Sequence, residues 1–323
     1  MKLVNHELNP YEFRYVRVAG AIGISMLSFL LFFHLGTSLY QAVAKALVKH
    51  FSSFVAYHVT MELFYGAIYL AAFLLPVLIL RFLIRAKGYP IRPMRASMRL
   101  SPYLPLIILA SVMIIRSSAH INALWTSLLD FSSYYSVGVL SGKAELMWYQ
   151  ILLQFLIGCL IPGICEEILF RGAIQSNCMP FGRTNAILIA SVLFALMHES
   201  AAQIFYTFVA GILFGIVYDR TENLLNCIIL HTFNNAFSLI DDVIYFNFTK
   251  NAILKLAIYE GVLTLLGLFS AVVLILRFAR KREDLGADKF VSCPITHQNA
   301  LQLFLTPTVV LFSVLTVFSI LSF

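Results

Sequence analysis

Long, continuous apolar runs separated by short polar and basic stretches dominate the 323-residue chain. Runs of this length predict membrane-crossing helices, whereas a transmembrane barrel would alternate apolar and polar residues in segments of about ten. Segments near 18–42, 61–84, 103–126, 147–178, 184–201, 203–218, 224–240, 252–276 and 301–322 each read as a span. The expected fold is an all-α polytopic transmembrane bundle of nine spans, or eight if the first or last run lies at the interface. The fourth segment is too long for a simple crossing and contains Pro162-Gly163, which predicts a kink or break. Residues 281–300 read as a soluble loop. The pattern divides the chain into N-terminal membrane helices over 1–145, a chemistry-bearing core over 146–240, and C-terminal membrane helices over 241–323.

Composition agrees with that pattern: 60% of residues are hydrophobic and 12% charged, with a mean hydropathy of +0.85. Soluble domains carry about 25% charge, so a water-soluble globular protein is excluded. The formal charge of +7 does not form a nucleic-acid footprint. With the N-terminus placed in the cytoplasm, 17 of the 23 Lys and Arg residues fall on the inner side, which is how basic residues fix membrane orientation. The segment 85–99 is the densest part of that set and could touch anionic lipid headgroups, although orientation alone accounts for it. The five cysteines are odd in number and lie mostly inside apolar runs, so no disulfide framework or paired zinc motif is expected.

Ionisable residues are unfavourable inside membrane helices, and they mark function when they occur there. They concentrate in three boxes: Glu166-Glu167 with Arg171, then Phe194 with His198, then His231 with Asn235. Glu167 and Arg171 are four residues apart and can pair along one helix face, while Glu166 lies about 100° away. That division suggests a structural Glu167 and a Glu166 free to act as a base. Counting about 1.5 Å per residue from the turn near Met179–Gly182 and from Glu222 puts all three boxes at a common depth. That depth is far from the basic side.

Two chemistries suit such a cavity. Glu166 with a nearby His can deprotonate a water, while His231 and the Asn235 carboxamide steady an oxyanion. Alternatively, Glu166, His198 and His231 could hold a divalent metal such as zinc with an open position. No HExxH motif is present, and the metal-free reading, with no cofactor, is preferred. Each residue also has a plain structural explanation when taken alone: an ion pair near a helix end, a satisfied histidine, a polar contact between helices.

The three boxes resemble the signature of the CAAX-protease and bacteriocin-processing (CPBP, or Abi) family of intramembrane proteases. Its pattern is EExxxR, FxxxH and HxxxN or HxxxD on successive membrane helices. The resemblance covers roughly 146–240 and includes the Ras-converting prenyl endopeptidase type. It implies a hydrolase that cuts a membrane-associated or lipidated peptide. It also implies catalytic roles for Glu166, His198, His231 and Asn235, with Glu167, Arg171 and Phe194 in support. Bacterial members are associated with bacteriocin or peptide maturation, and the expected location is a bacterial cell membrane. The alternative is a non-catalytic immunity or peptide-binding protein using the same cavity. A transporter would need inverted repeats and a second broken helix. A rhomboid-type enzyme would need a GxSG box, and Tyr218-Asp219 has no GxGD partner of the presenilin type. His34, His50, His58, His120 and His297 read as interfacial or solvated, and Glu62 and Glu260 as lying close to span ends. The 15 Tyr and 28 Phe residues read as lipid-facing bulk and interface anchors.

Overall fold

The computed structural model of the protein describes residues 10–86, 88, 92–128, 145–248, 250–281 and 304–322. Among these residues the chain is all helical: α1 (Pro10–Leu47), α2 (Phe54–Ala86), α3 (Leu104–Leu128), α4 (Trp148–Phe181), α5 (Arg183–Leu196), α6 (Ile204–Thr221), α7 (Leu224–Asn247), α8 (Ala252–Lys281) and α9 (Pro307–Ser322). All nine expected segments are helices. The loop expected at 281–300 lies, beyond Lys281, outside the described residues, as does Cys293.

Six helices, rather than eight or nine, are long and apolar enough to cross a bilayer: α1, α2, α3, α4, α6 and α8. The shortfall has two causes. Helices α5 and α9 have 14 and 16 residues, below the roughly 20 that a crossing needs. Helix α7 has the length, but Asn226, His231, Asn234, Asn235, Asp241 and Asp242 lower its apolarity.

Helix α4 is central. It packs against α2 on one side and α7 on another; α5 returns antiparallel beside it, and α6 runs parallel to it, with Arg171 and Gln175 donating to the Gly211 and Gly215 carbonyls. Helices α1 and α9 pack together, and α8 lies against α3. The interior is filled by Tyr15, Phe29, Phe73, Phe170, Phe194 and Phe214. The outer face of α8 presents Ile253, Leu265, Phe269 and Ile275, an apolar surface suited to lipid.

Of the kink or break expected at Pro162-Gly163, the break is not found. Helix α4 runs through both residues in a regular α stretch, Ile161–Glu167, flanked by π-helical turns at Phe155–Leu160 and Ile168–Gln175. Proline lacks an N–H and its ring crowds the preceding turn, and the widened π turn before it absorbs that defect without breaking the helix. Gly163 serves a different purpose. A Cβ there would collide with the Thr232 hydroxyl and approach the Thr232 nitrogen to 3.1 Å and the Ile228 carbonyl to 3.3 Å. The glycine therefore lets α4 and α7 meet backbone to backbone, one turn before the paired glutamates.

The basic end of the bundle is tied together by side chains that complete backbone hydrogen bonds. Asn223 caps α7 by accepting from Leu225 N at 3.1 Å and also holds Ser97 and Arg99. Asn226 accepts from Ser101 N. The basic segment after α2 is thereby laid across the start of α7.

Candidate active site

The paired glutamates lie at the end of the α stretch in α4, both buried. Glu167 Oε1 accepts from two directions: Arg171 Nη1 at 3.0 Å on its own helix and His231 Nδ1 at 2.9 Å from α7. Arg171 is fully buried. It donates through Nη2 to the Gly211 carbonyl of α6 at 2.9 Å, and its guanidinium lies 4.8 Å from the Phe194 ring and 5.3 Å from that of Phe214. A buried pair of this kind is defensible only when its hydrogen bonds are made, and removing one partner typically destabilises a fold by about 3–5 kcal/mol. Gly211 makes the arrangement accessible, since a Cβ there would come within 2.9 Å of Ser191 Cα on α5.

Donation to Glu167 places a proton on His231 Nδ1 and leaves Nε2 at the far end of the ring, 4.0 Å from Glu166 Oε2. Glu166 Oε1 accepts a short hydrogen bond from the Tyr69 hydroxyl of α2. Its other oxygen, Oε2, is buried and makes no hydrogen bond to the protein. Each carboxylate keeps a buried Oε2 without a hydrogen bond, and the two differ at Oε1, which takes Arg171 and His231 on Glu167 but the Tyr69 hydroxyl on Glu166.

His198 is not on the body of α5. That helix ends at Leu196, short of the expected 201, because Glu199 takes a left-handed conformation (φ 46°) that stops it. The ring follows the last turn, with Nδ1 donating to the Phe194 carbonyl at 2.8 Å, so Nε2 is left as an acceptor. Phe194 stands between the two imidazoles, its ring 5.1 Å from that of His198 and 5.8 Å from that of His231. Phe214 lies 5.0 Å from His231 and 6.4 Å from Phe194, next to it.

Glu166, Glu167, Arg171, Phe194, His198 and His231 are therefore gathered around one point. No hydrogen bond or ion pair joins His198 to Glu166. Asn235 lies one turn along α7 from His231, with its carboxamide donating to the Gly158 carbonyl at 3.3 Å and accepting from Asn234 at 3.2 Å.

Sequence reasoning missed three neighbours. Tyr69 was indistinguishable from the other tyrosines of the apolar runs, and only the packing of α2 on α4 turns it into a partner of Glu166. Asn122, in the middle of α3, donates to the Ala202 carbonyl at 2.8 Å and accepts from Phe205 N at 3.0 Å, which holds the turn after His198. His34 pairs with Glu199 at 3.1 Å, so it serves that same turn and is not an isolated interfacial histidine. Glu260 is paired as well. It forms a clamp with Arg116 of α3, which also binds Asp241 of α7 at 2.5 Å.

Among the described residues no group of three or more His, Cys, Asp or Glu side chains converges as a metal-binding set. The trio Glu166, His198 and His231 is neighbouring, and in both histidines Nδ1 is engaged by a protein oxygen while Nε2 makes no hydrogen bond among the described residues.

Comparison with known proteins bears on the same helices. Residues 148–237 match the family model described as type II CAAX prenyl endopeptidase, Rce1-like. No curated protein and no solved structure matches the chain. The match begins with α4 and ends just past Asn235, so it encloses every residue of the three boxes. Over residues 148–237, less than a third of the chain, this integral membrane protein is thus similar to the CAAX prenyl endopeptidase family.

Proposed function

We propose that the protein is an intramembrane endopeptidase that hydrolyses a peptide bond in a membrane-associated or lipidated peptide, with water as the nucleophile. The observation that carries this reading is the buried Glu166 carboxylate, held through one oxygen by Tyr69 and keeping the other oxygen unengaged beside His231. In this mechanism Glu166 and the acceptor nitrogen of His198 take a proton from water. The resulting hydroxide adds to the carbonyl carbon of the substrate. Asn235 donates to the oxyanion, as does His231 through Nε2 in its doubly protonated form, and the abstracted proton passes to the departing amine as the C–N bond breaks. Glu167 and Arg171 fix the His231 ring and take no part in proton transfer.

Substrate class is supported by an apolar groove of about 440 Å³ between α4 and α7, lined by Leu152, Phe155, Leu239 and Ile240 among others. It opens one turn beyond Asn235, where the lipid chain or apolar side chains of a membrane-borne peptide would lie.

Glu166→Gln and His198→Ala, purified in nanodiscs, are expected to lose about 10²–10⁴-fold in cleavage of a farnesylated peptide ending in Cys-aliphatic-aliphatic-X. Their melting temperatures should stay near wild type. Full activity in both variants would reject the mechanism. If that peptide is not cut by the wild type, comparative peptidomics of cells carrying wild type or Glu166→Gln identifies the lost product. Metal dependence is tested on the same samples. Activity should survive chelation, whereas stoichiometric zinc and loss of cleavage on its removal would favour the metal-bound alternative.

A further inference from the structure

A second cavity lies at the basic end of the bundle, about ten residues and roughly 15 Å along α4 from Glu166. Its volume is about 250 Å³, and it is lined by Arg92, Arg95, Ser176, Tyr218 and Glu222, with Pro93 and Met179. The basic segment forms one wall and is fixed in place rather than draped. Arg92 N donates to Asn177 Oδ1 at 3.3 Å, Leu224 N donates to the Arg95 carbonyl at 2.8 Å, and Asn223 holds Ser97.

Charge in this cavity is unbalanced. Glu222 is engaged by Arg95 at 2.5 Å and by Arg183 at 3.3 Å, and Arg183 also binds Asp219 at 2.5 Å. Arg92 has no acidic partner among the described residues. The Tyr218 side chain is 3% exposed, yet its hydroxyl has no hydrogen-bond partner among the described residues. The Ser176 hydroxyl donates to the Gly172 carbonyl at 2.6 Å. A surplus guanidinium and an unused phenol hydroxyl therefore share one small polar cavity, and both are donors.

We propose that this cavity binds a phosphate-bearing anion, with Arg92 and Tyr218 as its principal donors and Arg95 in support. Guanidinium groups match phosphate oxygens through paired N–H donors, and a neutral hydroxyl adds a directional bond. The cavity lies among the arginines that mark the inner face, where anionic lipid headgroups concentrate. The same chemistry also suits free phosphate, and the two sources are separable by experiment.

Native mass spectrometry of the full-length protein from nanodiscs of phosphatidylglycerol or of phosphatidylcholine tests the lipid, and titration with inorganic phosphate tests the free anion. Arg92→Gln should weaken retention of the bound species by roughly ten- to a hundredfold, the loss of a charge-assisted hydrogen bond, and Tyr218→Phe by about fivefold. Arg92→Lys should fall between Arg92→Gln and wild type. Selective retention of phosphatidylglycerol assigns the site to a headgroup. Binding of inorganic phosphate with the same sensitivity to the variants assigns it to the free anion. Retention of neither probe by folded wild type, or equal retention by wild type and Arg92→Gln, would overturn the proposal.

Discussion

Glu167 and Glu166 are adjacent in sequence and identical in chemistry, yet their surroundings separate them. Glu167 is ligated by an arginine and a histidine, and the energy of desolvating it is offset by two charge-assisted bonds. Glu166 is steadied by a single phenol. If that hydrogen bond orients the carboxylate for catalysis, Tyr69→Phe should lower kcat by roughly ten- to a hundredfold while leaving KM nearly unchanged, the loss expected for a hydrogen bond to a charged group. Steady-state kinetics on the farnesylated peptide reads this directly, and an unaltered kcat would make Tyr69 a packing residue. The glutamates, the histidines and Arg171 were legible from sequence because charge is so scarce in apolar helices. Tyr69, Asn122 and His34 were not, because each lies on a different helix from its partner and no short spacing links them.

Among the elements, α4 and α7 carry the site between them, and their separation is set by Gly163 against Thr232 and Ile228. Gly163→Val inserts a branched side chain into a backbone contact already tighter than a Cβ tolerates. The helices must part, which lengthens the His231–Glu167 bond made one turn away. Activity should fall by at least about tenfold, and the overpacking should destabilise the fold by about 1–3 kcal/mol. Cleavage assays and thermal melts in the same detergent check both effects. The Pro-Gly pair was visible in the sequence as a kink or break, and the helix nevertheless continues through it. Whether a helix yields at proline depends on the turn before it, and a π turn is a response to tertiary packing that residue pattern does not encode. The early end of α5 has a similar origin, since Glu199 adopts its left-handed conformation where His34 and Asn122 hold the turn.

At the scale of the whole molecule, the site is assembled from α2, α4, α5, α6 and α7, while α8 and α9 lie outside it. Helix α8 joins the bundle partly through the Arg116 clamp to Glu260, and that same arginine reaches Asp241 of α7. All nine helical segments were legible from the apolar runs. The number of true crossings was not, because length and polarity in α5, α7 and α9 decide it and runs merge or end within a few residues. The orientation expected from the basic residues is testable. Arg220, highly exposed at the end of α6, should face the cytoplasm. A cysteine placed there, on a background with Cys293 replaced by Ser, should react with a membrane-impermeant maleimide in inverted vesicles and not in intact cells. The four described native cysteines are buried and should stay silent. Labelling in intact cells alone would reverse the topology.

The two π turns of α4 also govern where this chain can change length. A π turn holds one residue more than the α turn it replaces, so the helix on either side keeps its face when that residue is lost. Within Ile161–Glu167, by contrast, removing any residue swings everything beyond it by about 100°. A single-residue deletion between Trp148 and Phe181 therefore leaves the aim of Glu166 unchanged when it falls at 155–160 or 168–175. A gap in an alignment of related chains belongs at those two places.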